Sequence, residues 1–428
     1  MFKKTLFLAA VLSILLACNS QAEVIHSTWV GGATGYWETA INWSPAIVPE
    51  NGGNTFAVTI NGGAAGVDVS LRANHSIDSL DTYNNVKLES GEWWNPTITI
   101  LSGIKNHGDL AIRIDIRGDV TNITKATLEL GEHINIFGTL YNEVGCIITV
   151  DLTDIDVEEG GEVYNDGLIQ IYTVGGIGET PYFHNNGEIQ LFIGGACNGA
   201  IFDNDGAAVI RGSGVVSGHQ LQNRGTICAS MGPLLLYFEG SLTNTGILKN
   251  DVGATLHITR AADVNNQGTI ETNADGSVVF DCNLVNEPNG VIKLLGGTLA
   301  ATTITQTADA NFAGFGGITA DVIIDPDGII KLTGPTNIVG DVNISEGATL
   351  EVSDGTTLVT GHCTCTEGTI HMIGGAIILQ GGFTNNNCRV IWEPGLYTNV
   401  ADFNLDGKVN LEDFAYFADT WLWQTAWH

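Results

Sequence analysis

The chain is poor in charge, and poorest in positive charge. Its 428 residues carry 16 Lys plus Arg against 47 Asp plus Glu, a formal net charge of −31, and only 15% of residues are charged. Binding to a phosphate backbone needs a basic face, so nucleic acid is excluded as a partner class. A surplus of acid suits a secreted protein, a cation binder or one working in saline surroundings, and solvation alone also accounts for it. Also missing is a membrane span: apart from the run Leu6 to Ala17, which is too short, no stretch is long and apolar enough. An even cysteine set is absent too. Eight cysteines include Cys18 in the leader region, and the remaining seven cannot all pair with one another. Neither His nor a second Cys pair stands at zinc spacing from Cys363-Thr364-Cys365. Cys228 falls at an outward parity position, which predicts exposure; for the other cysteines burial in the stack is the plain expectation.

What is abundant is glycine, 55 residues, and it is periodic. The pattern apolar-x-Asn-x-Gly-x-apolar-x-apolar reads Ile104, Asn106, Gly108, Leu110, Ile112, then Val163, Asn165, Gly167, Ile169, Ile171. It returns from Phe183, Phe202, Leu221, Leu242 and Val264. Gly167, Gly187, Gly206, Gly225, Gly246, Gly268 and Gly290 lie 19 to 22 residues apart, as do Gly328, Gly347 and Gly368. Core positions two residues apart mark strands, and a short repeat with one inward face must stack on its neighbours. The expected fold class is all-β, a right-handed parallel β-helix. If the gaps 108–145 and 290–328 each hold two coils, 13 intervals separate Gly108 from Gly368 at 20 residues per coil. With coils ~4.8 Å apart these would form a rod of ~60 Å. Antiparallel hairpins are the competing arrangement, since Asn-Asp-Gly and Asn-Asn-Gly are turn signals. They give no reason for Asn to keep one inward parity, whereas stacked Asn amides can hydrogen-bond along a row. Gly two residues later is expected to take a backbone conformation closed to residues with a β-carbon. The isoleucines two positions past it, Ile169, Ile189, Ile227, Ile270, Ile292 and Ile330, are expected to stack in a row. The pattern loosens at Asn286 to Gly290, lacks Asn-x-Gly from Ala308 to Gly317, and slips to Leu350 and Val352 near Gly347.

Four segments follow. Residues 1–22 read as a signal peptide: Lys3 and Lys4 precede the apolar run, and Ser20-Gln21-Ala22 offers a cleavage site before Glu23. Leu15-Leu16-Ala17-Cys18 resembles a lipoprotein box, which would instead anchor the chain at Cys18. Residues 23–54 hold Trp29, Trp37 and Trp43, either a plug for the first coil or a sugar-stacking platform, the plug being preferred. Residues 55–395 are the repeats, and 396–428 a terminal module. Thr28 to Trp37, Asn42-Trp43 and Pro49 resemble the opening of bacterial autotransporter passengers. The repeat is similar to those of filamentous-haemagglutinin-type and autotransporter adhesins, which implies a surface β-helix.

The clearest chemistry lies in Asp402 to Asp413. Asp402, Asn404, Asp406, Asn410 and Asp413 supply side-chain oxygens at loop positions 1, 3, 5, 9 and 12. Gly407 allows the sharp turn and Lys408 offers its backbone carbonyl. That is the donor set of a Ca²⁺ loop. Phe414, Phe417, Ala418, Trp421 and Leu422 then keep helical spacing, which predicts an EF-hand-like loop and helix. With Asp at position 12 and Val at position 8, the segment resembles a type I dockerin repeat of the planctomycete kind. Known dockerins have two such segments and bind cohesins, and one is present here. The resemblance implies a calcium-dependent attachment to a cohesin-like module or another cell-surface component, with polysaccharide as a further partner. The expected function is therefore an adhesin-like or matrix protein.

The rival reading is a polysaccharide-degrading β-helix enzyme, lyase or glycoside hydrolase, carrying a dockerin. Asp151, Asp154, Asp156, Glu158 and Glu159 are the densest acids, but no Lys or Arg lies between Lys125 and Arg211. His219 and His362 lack companion signatures, and Arg117-Gly118-Asp119 matches a cell-attachment tripeptide by chance. No catalytic residue is assigned.

Overall fold

A computed structural model of the chain describes residues 23–393, apart from Gly53, 92–95, Thr124, 132–133, 152–153, 158–160, 173–175 and Ser241. The leader 1–22, with Cys18, and the terminal module 396–428 lie outside the described residues. So do the Ca²⁺ loop 402–413 and the segment Phe414 to Leu422. Among the described residues no helix is long and apolar enough to cross a membrane.

The fold is a parallel β-solenoid. Successive coils pair in parallel; in some each side is a short separate strand that pairs with the strand three places on, and in others the sides merge into one long strand, as in Glu188–Asn204 and Val291–Gln306, that pairs with the next. Ile104–Asn106 pairs with Val120–Asn122, Asp109–Arg113 with Thr127–Gly131, and Asp115–Arg117 with Ile134–Phe137. Hairpins are thereby ruled out for the repeats. Among the described residues one antiparallel pairing stands apart, Thr28 and Trp29 of Val24–Trp29 with Trp43–Ser44. The chain divides into two compact units, Met1–Gln220 and Leu221–His428.

In the first unit one core row runs Val67, Val86, Leu110, Leu128, Ile148, Ile169, Ile189, Ile210, each opposite the next. In the second, Ile227, Leu248, Ile270, Ile292, Phe312, Ile330, Leu350, Ile370 and Val390 do the same. The six expected isoleucines all sit in these rows, and Leu350 is in register despite the apparent slip. Alternation of buried and half-exposed residues along the strands follows from the period of two.

Beside each apolar row runs a buried amide ladder. In the first unit Asn106, Asn122, Asn142, Asn165 and Asn185 donate in turn, each Nδ2 to the next Oδ1 at 2.7–3.0 Å, as far as Asn204. In the second, Asn223, Asn244, Asn266 and Asn286 lead to Gln306 at 2.7–2.8 Å. Several of these nitrogens also reach a backbone carbonyl of the following coil, Asn142 to Leu168 and Asn266 to Val291 among them. Both amide hydrogens are thus used, which makes burial of the group affordable. Asn122 belongs to this ladder although Gly is missing after it, so the gap 108–145 does hold two coils. Past Gln306 the same position turns apolar, Ile324 and then Ile344.

The repeat glycines need correcting. Gly187 and Gly268 do not adopt a left-handed backbone. A β-carbon at either would stand 2.1 Å from the carbonyl oxygen of the glycine one coil below. Close approach of successive coils, rather than positive φ, demands glycine there. Cys228 also departs from expectation: it is buried, its Sγ within 3.4 Å of Asp251 Oδ1. A small side chain at an outward position is covered by its neighbours in the adjacent coil.

Candidate functional site

The described solenoid carries its most concentrated outward chemistry on one face of the first unit. The residue before each ladder Asn must point outward, because Asn points in. At three successive coils it is aromatic: Tyr141, Tyr164 and His184. Coil spacing matches ring thickness plus contact, so the rings stack. Centroids lie 5.2 Å apart for Tyr141 and Tyr164 and 4.4 Å for Tyr164 and His184, with planes within 9°. Tyr182, two residues before His184, stacks on it at 4.2 Å. Opposite Tyr182 stands Glu162. Tyr164 donates its hydroxyl to Glu162, and His184 Nε2 lies 3.8 Å from the same carboxylate.

This bond, ahead of burial, pushes the Tyr164 hydroxyl up to about 12. Tyr164 therefore stays a donor at neutral pH. Ring faces are occupied by neighbouring rings, so the row offers edges: hydroxyls, an imidazole and a carboxylate at coil spacing. Such an edge can hydrogen-bond a repetitive polyhydroxylated chain but cannot stack on a sugar ring in its middle rungs.

Elsewhere on the first unit an open groove of about 330 Å³ is lined by Asp68, Lys87, Asp109, Ala111 and Glu129. Ala111 makes the hollow, since it faces Lys87 on one side and Glu129 on the other. Lys87 pairs with Glu89 at 2.5 Å and Arg113 with Glu129 at 3.1 Å. Acids and cations do meet here, in contrast to the Asp151 to Glu159 region. Of that region the backbone of Asp154–Val157 pairs with Ile134–Phe137, while the side chains of Asp151, Asp154 and Asp156, and the whole of Glu158 and Glu159, lie outside the described residues.

The three tryptophans are buried. Trp29 and Trp37 each pack edge-on against Trp43, at 5.0 and 4.7 Å. Trp43 Nε1 donates to the Trp37 carbonyl at 2.8 Å, and Trp37 Nε1 to Pro49 at 3.1 Å. No ring face is left for a sugar. Arg117 lies over the Phe137 ring, and His362 bonds Thr384 Oγ1 at 2.8 Å across coils. Cys365 forms a disulfide with Cys388, a pairing the spacing did not announce.

The metal residues Asp402, Asn404, Asp406, Lys408, Asn410 and Asp413 lie outside the described residues, and among the described ones no cluster of metal-ligating side chains occurs. The Tyr141, Tyr164, His184 row was missed on the sequence, although its signal was there: an aromatic residue immediately before Asn in three consecutive coils. No protein-family model matches the chain, and neither a curated protein nor a solved structure does.

Proposed function

We propose that the protein is a secreted or cell-surface scaffold of the adhesin or matrix kind, held in place through a calcium-dependent, dockerin-like C-terminus. The observation that carries the reading is the pattern Asp402, Asn404, Asp406, Asn410, Asp413 with Gly407, which is a calcium loop by donor type and spacing. Support comes from the export-type leader and from the Cys365–Cys388 disulfide, a bond at home in oxidising compartments. We take the coils to be right-handed, the hand that parallel crossovers adopt almost without exception. The attachment partner is a cohesin-like module or cell-surface component. The edge formed by Tyr141, Tyr164, Glu162 and His184 would meet polysaccharide.

Calorimetry on the full chain tests the anchor. Calcium uptake is expected at ~10⁻⁴ to 10⁻³ M, no tighter than micromolar because Asp413 reaches less far than Glu would. Asp402→Ala and Asp406→Ala should each abolish it and Glu412→Ala should leave it. No uptake at millimolar calcium would sink the anchoring reading.

The groove of Asp68, Lys87, Asp109 and Glu129 favours a second reading, polysaccharide cleavage. Product release from acidic or neutral polysaccharides that disappears in Lys87→Ala would replace the scaffold reading with the enzyme one.

A further inference from the structure

One outward row of the second unit alternates in charge, with a single gap. In register, Lys249 faces Glu271, Glu271 faces Lys293, Lys293 faces Ala313, Ala313 faces Lys331 and Lys331 faces Glu351. The sign runs plus, minus, plus, nothing, plus, minus. A carboxylate is due where Ala313 stands, and the alanine side chain stops at its β-carbon. Lys293 and Lys331, both exposed, flank that hollow from the coils before and after, two coil spacings or ~9.6 Å apart. Lys331 Nζ lies 3.9 Å from Glu351 with 51% of its side chain exposed, so it can turn toward the hollow. Phe315, two residues along the same strand from Ala313, is 42% exposed. Glycines stand beside it in the coils before and after. A β-carbon at Gly296 would lie 3.3 Å from the Phe315 ring, and one at Gly334 would lie 2.9 Å from the Phe315 Cβ. Without side chains on those two flanks, the ring stays open to solvent.

We infer that this hollow is a binding site for a uronic-acid residue of an acidic polysaccharide. The sugar carboxylate fills the space over Ala313 between the two lysine ammoniums and completes the alternation, while the apolar face of the sugar ring lies on Phe315. Three features select this ligand. Two ammoniums on one hollow call for an anion, and charge-assisted hydrogen bonds hold it more strongly than neutral ones. Three Lys against two Glu leave the row from Lys249 to Glu351 with a single positive charge, so one carboxylate satisfies it and a run of phosphates or sulfates does not. The exposed ring beside the hollow suits a ligand with an apolar face next to its carboxylate, which a bare inorganic anion lacks. Ala313 and Phe315 stand ~6.8 Å apart along the strand, a step that one sugar residue and its carboxylate span. The site lies wholly in the second unit and depends on neither the calcium loop nor the Tyr141, Tyr164, His184 edge.

Calorimetric titration of the full chain with a short oligouronate is the test, run in chelator so that no calcium bridges carboxylates. The neutral oligosaccharide of the same linkage, acetate, and a short peptide with a free C-terminal carboxylate are the comparisons. The oligouronate should bind one to one, and more weakly as salt is raised. Ala313→Glu supplies the missing carboxylate from the chain itself and should weaken binding by ~10-fold or more. Lys293→Gln with Lys331→Gln should do the same, and keeps the test sound if a larger side chain at 313 disturbs its coil. Phe315→Ala should cost ~3-fold to 10-fold. Asn343→Ala, exposed on a different strand of the same unit, should change nothing. Equal affinity for the oligouronate and its neutral counterpart would overturn the proposal, as would native affinity in both the Ala313 and the double lysine variants. Acetate or the peptide binding as tightly as the oligouronate would overturn it too, marking a plain anion site or a protein partner. Binding lost in Tyr164→Ala and kept in the second-unit variants would place the polysaccharide on the first-unit edge instead. The anchor is read by calcium uptake, so its failure and the failure of this site give different results.

Discussion

The first described coil of one unit and the last described coil of the other are held differently. At the start, the sequence spends its largest side chains: Trp37 and Trp43 are fully buried, and His75 ties the segment down through Glu38 at 3.0 Å and Glu50 at 2.7 Å. In the last described coil Phe383, Val390 and Trp392 are exposed, and the Cys365–Cys388 disulfide fastens that coil to the one before. A solenoid end can be sealed by bulk or fastened by a crosslink, and only the first also keeps water from the apolar surface.

The largest effect is expected where bulk does the sealing. Trp43→Ala removes the ring on which Trp29 and Trp37 both pack and should cost ~3–5 kcal/mol. Because coils interact with neighbours only, hydrogen exchange should rise first in residues 24–71 and leave the second unit unchanged. Global unfolding of both units together would break the comparison. Next comes the crosslink. Cys365→Ser with Cys388→Ser opens a 23-residue closure, worth about 3 kcal/mol in the chain-entropy account. Here exchange should rise in 376–393 alone.

An interior break sharpens the contrast. Asn185→Ala removes the bond from Asn165 Nδ2 and the bond to Asn204 Oδ1, costing ~1–3 kcal/mol. Chemical denaturation should show the first unit losing stability as a whole, since coils on both sides are affected; fraying from one terminus would contradict it. The smallest effect concerns pH. Burial tends to raise the Glu38 carboxyl, but the hydrogen bond from His75 and that from the Arg72 N–H outweigh it, and the pKa is lowered from 4.5. A carboxylate depressed on folding stabilises fully above its ordinary range, and that contribution is lost as pH falls through the folded value. Exchange in residues 24–77 should therefore quicken below about pH 4.5, and Glu38→Gln should flatten the dependence. Quickening on the alkaline side instead would refute the assignment.

The coils were legible in the sequence because a strand period of two and a repeat near 20 residues leave few solutions. Asn106 to Asn286 and the isoleucine rows sit where parity placed them. What escaped was set by neighbours along the stack rather than by neighbours in sequence. Gly187 is small because the carbonyl of the coil below leaves no room. Cys228 is buried because Asp251, 23 residues on, lies against it. Cys388 reaches Cys365 only because one full coil separates them. Candidate site residues followed the same rule: Tyr141, Tyr164 and His184 are unremarkable singly and become an edge only when stacked. The calcium loop was read from local spacing and owes nothing to the solenoid.

The amide ladder also has a direction. From Asn106 to Asn185, and from Asn223 to Asn286, each ladder Asn hands its hydrogen forward to the following coil, and contacts with backbone carbonyls, as from Asn142 to Leu168, fix which end of the amide is nitrogen. Each completed coil therefore displays an unspent donor, and the partner that satisfies it lies only 16 to 23 residues further along. Gln306 ends the sequence in the second unit by turning its donor back to the Ala310 carbonyl of its own turn, at 2.7 Å. The stack is thus polar: its two ends differ in kind, one presenting an amide oxygen to the coil before and the other an amide hydrogen to the coil after.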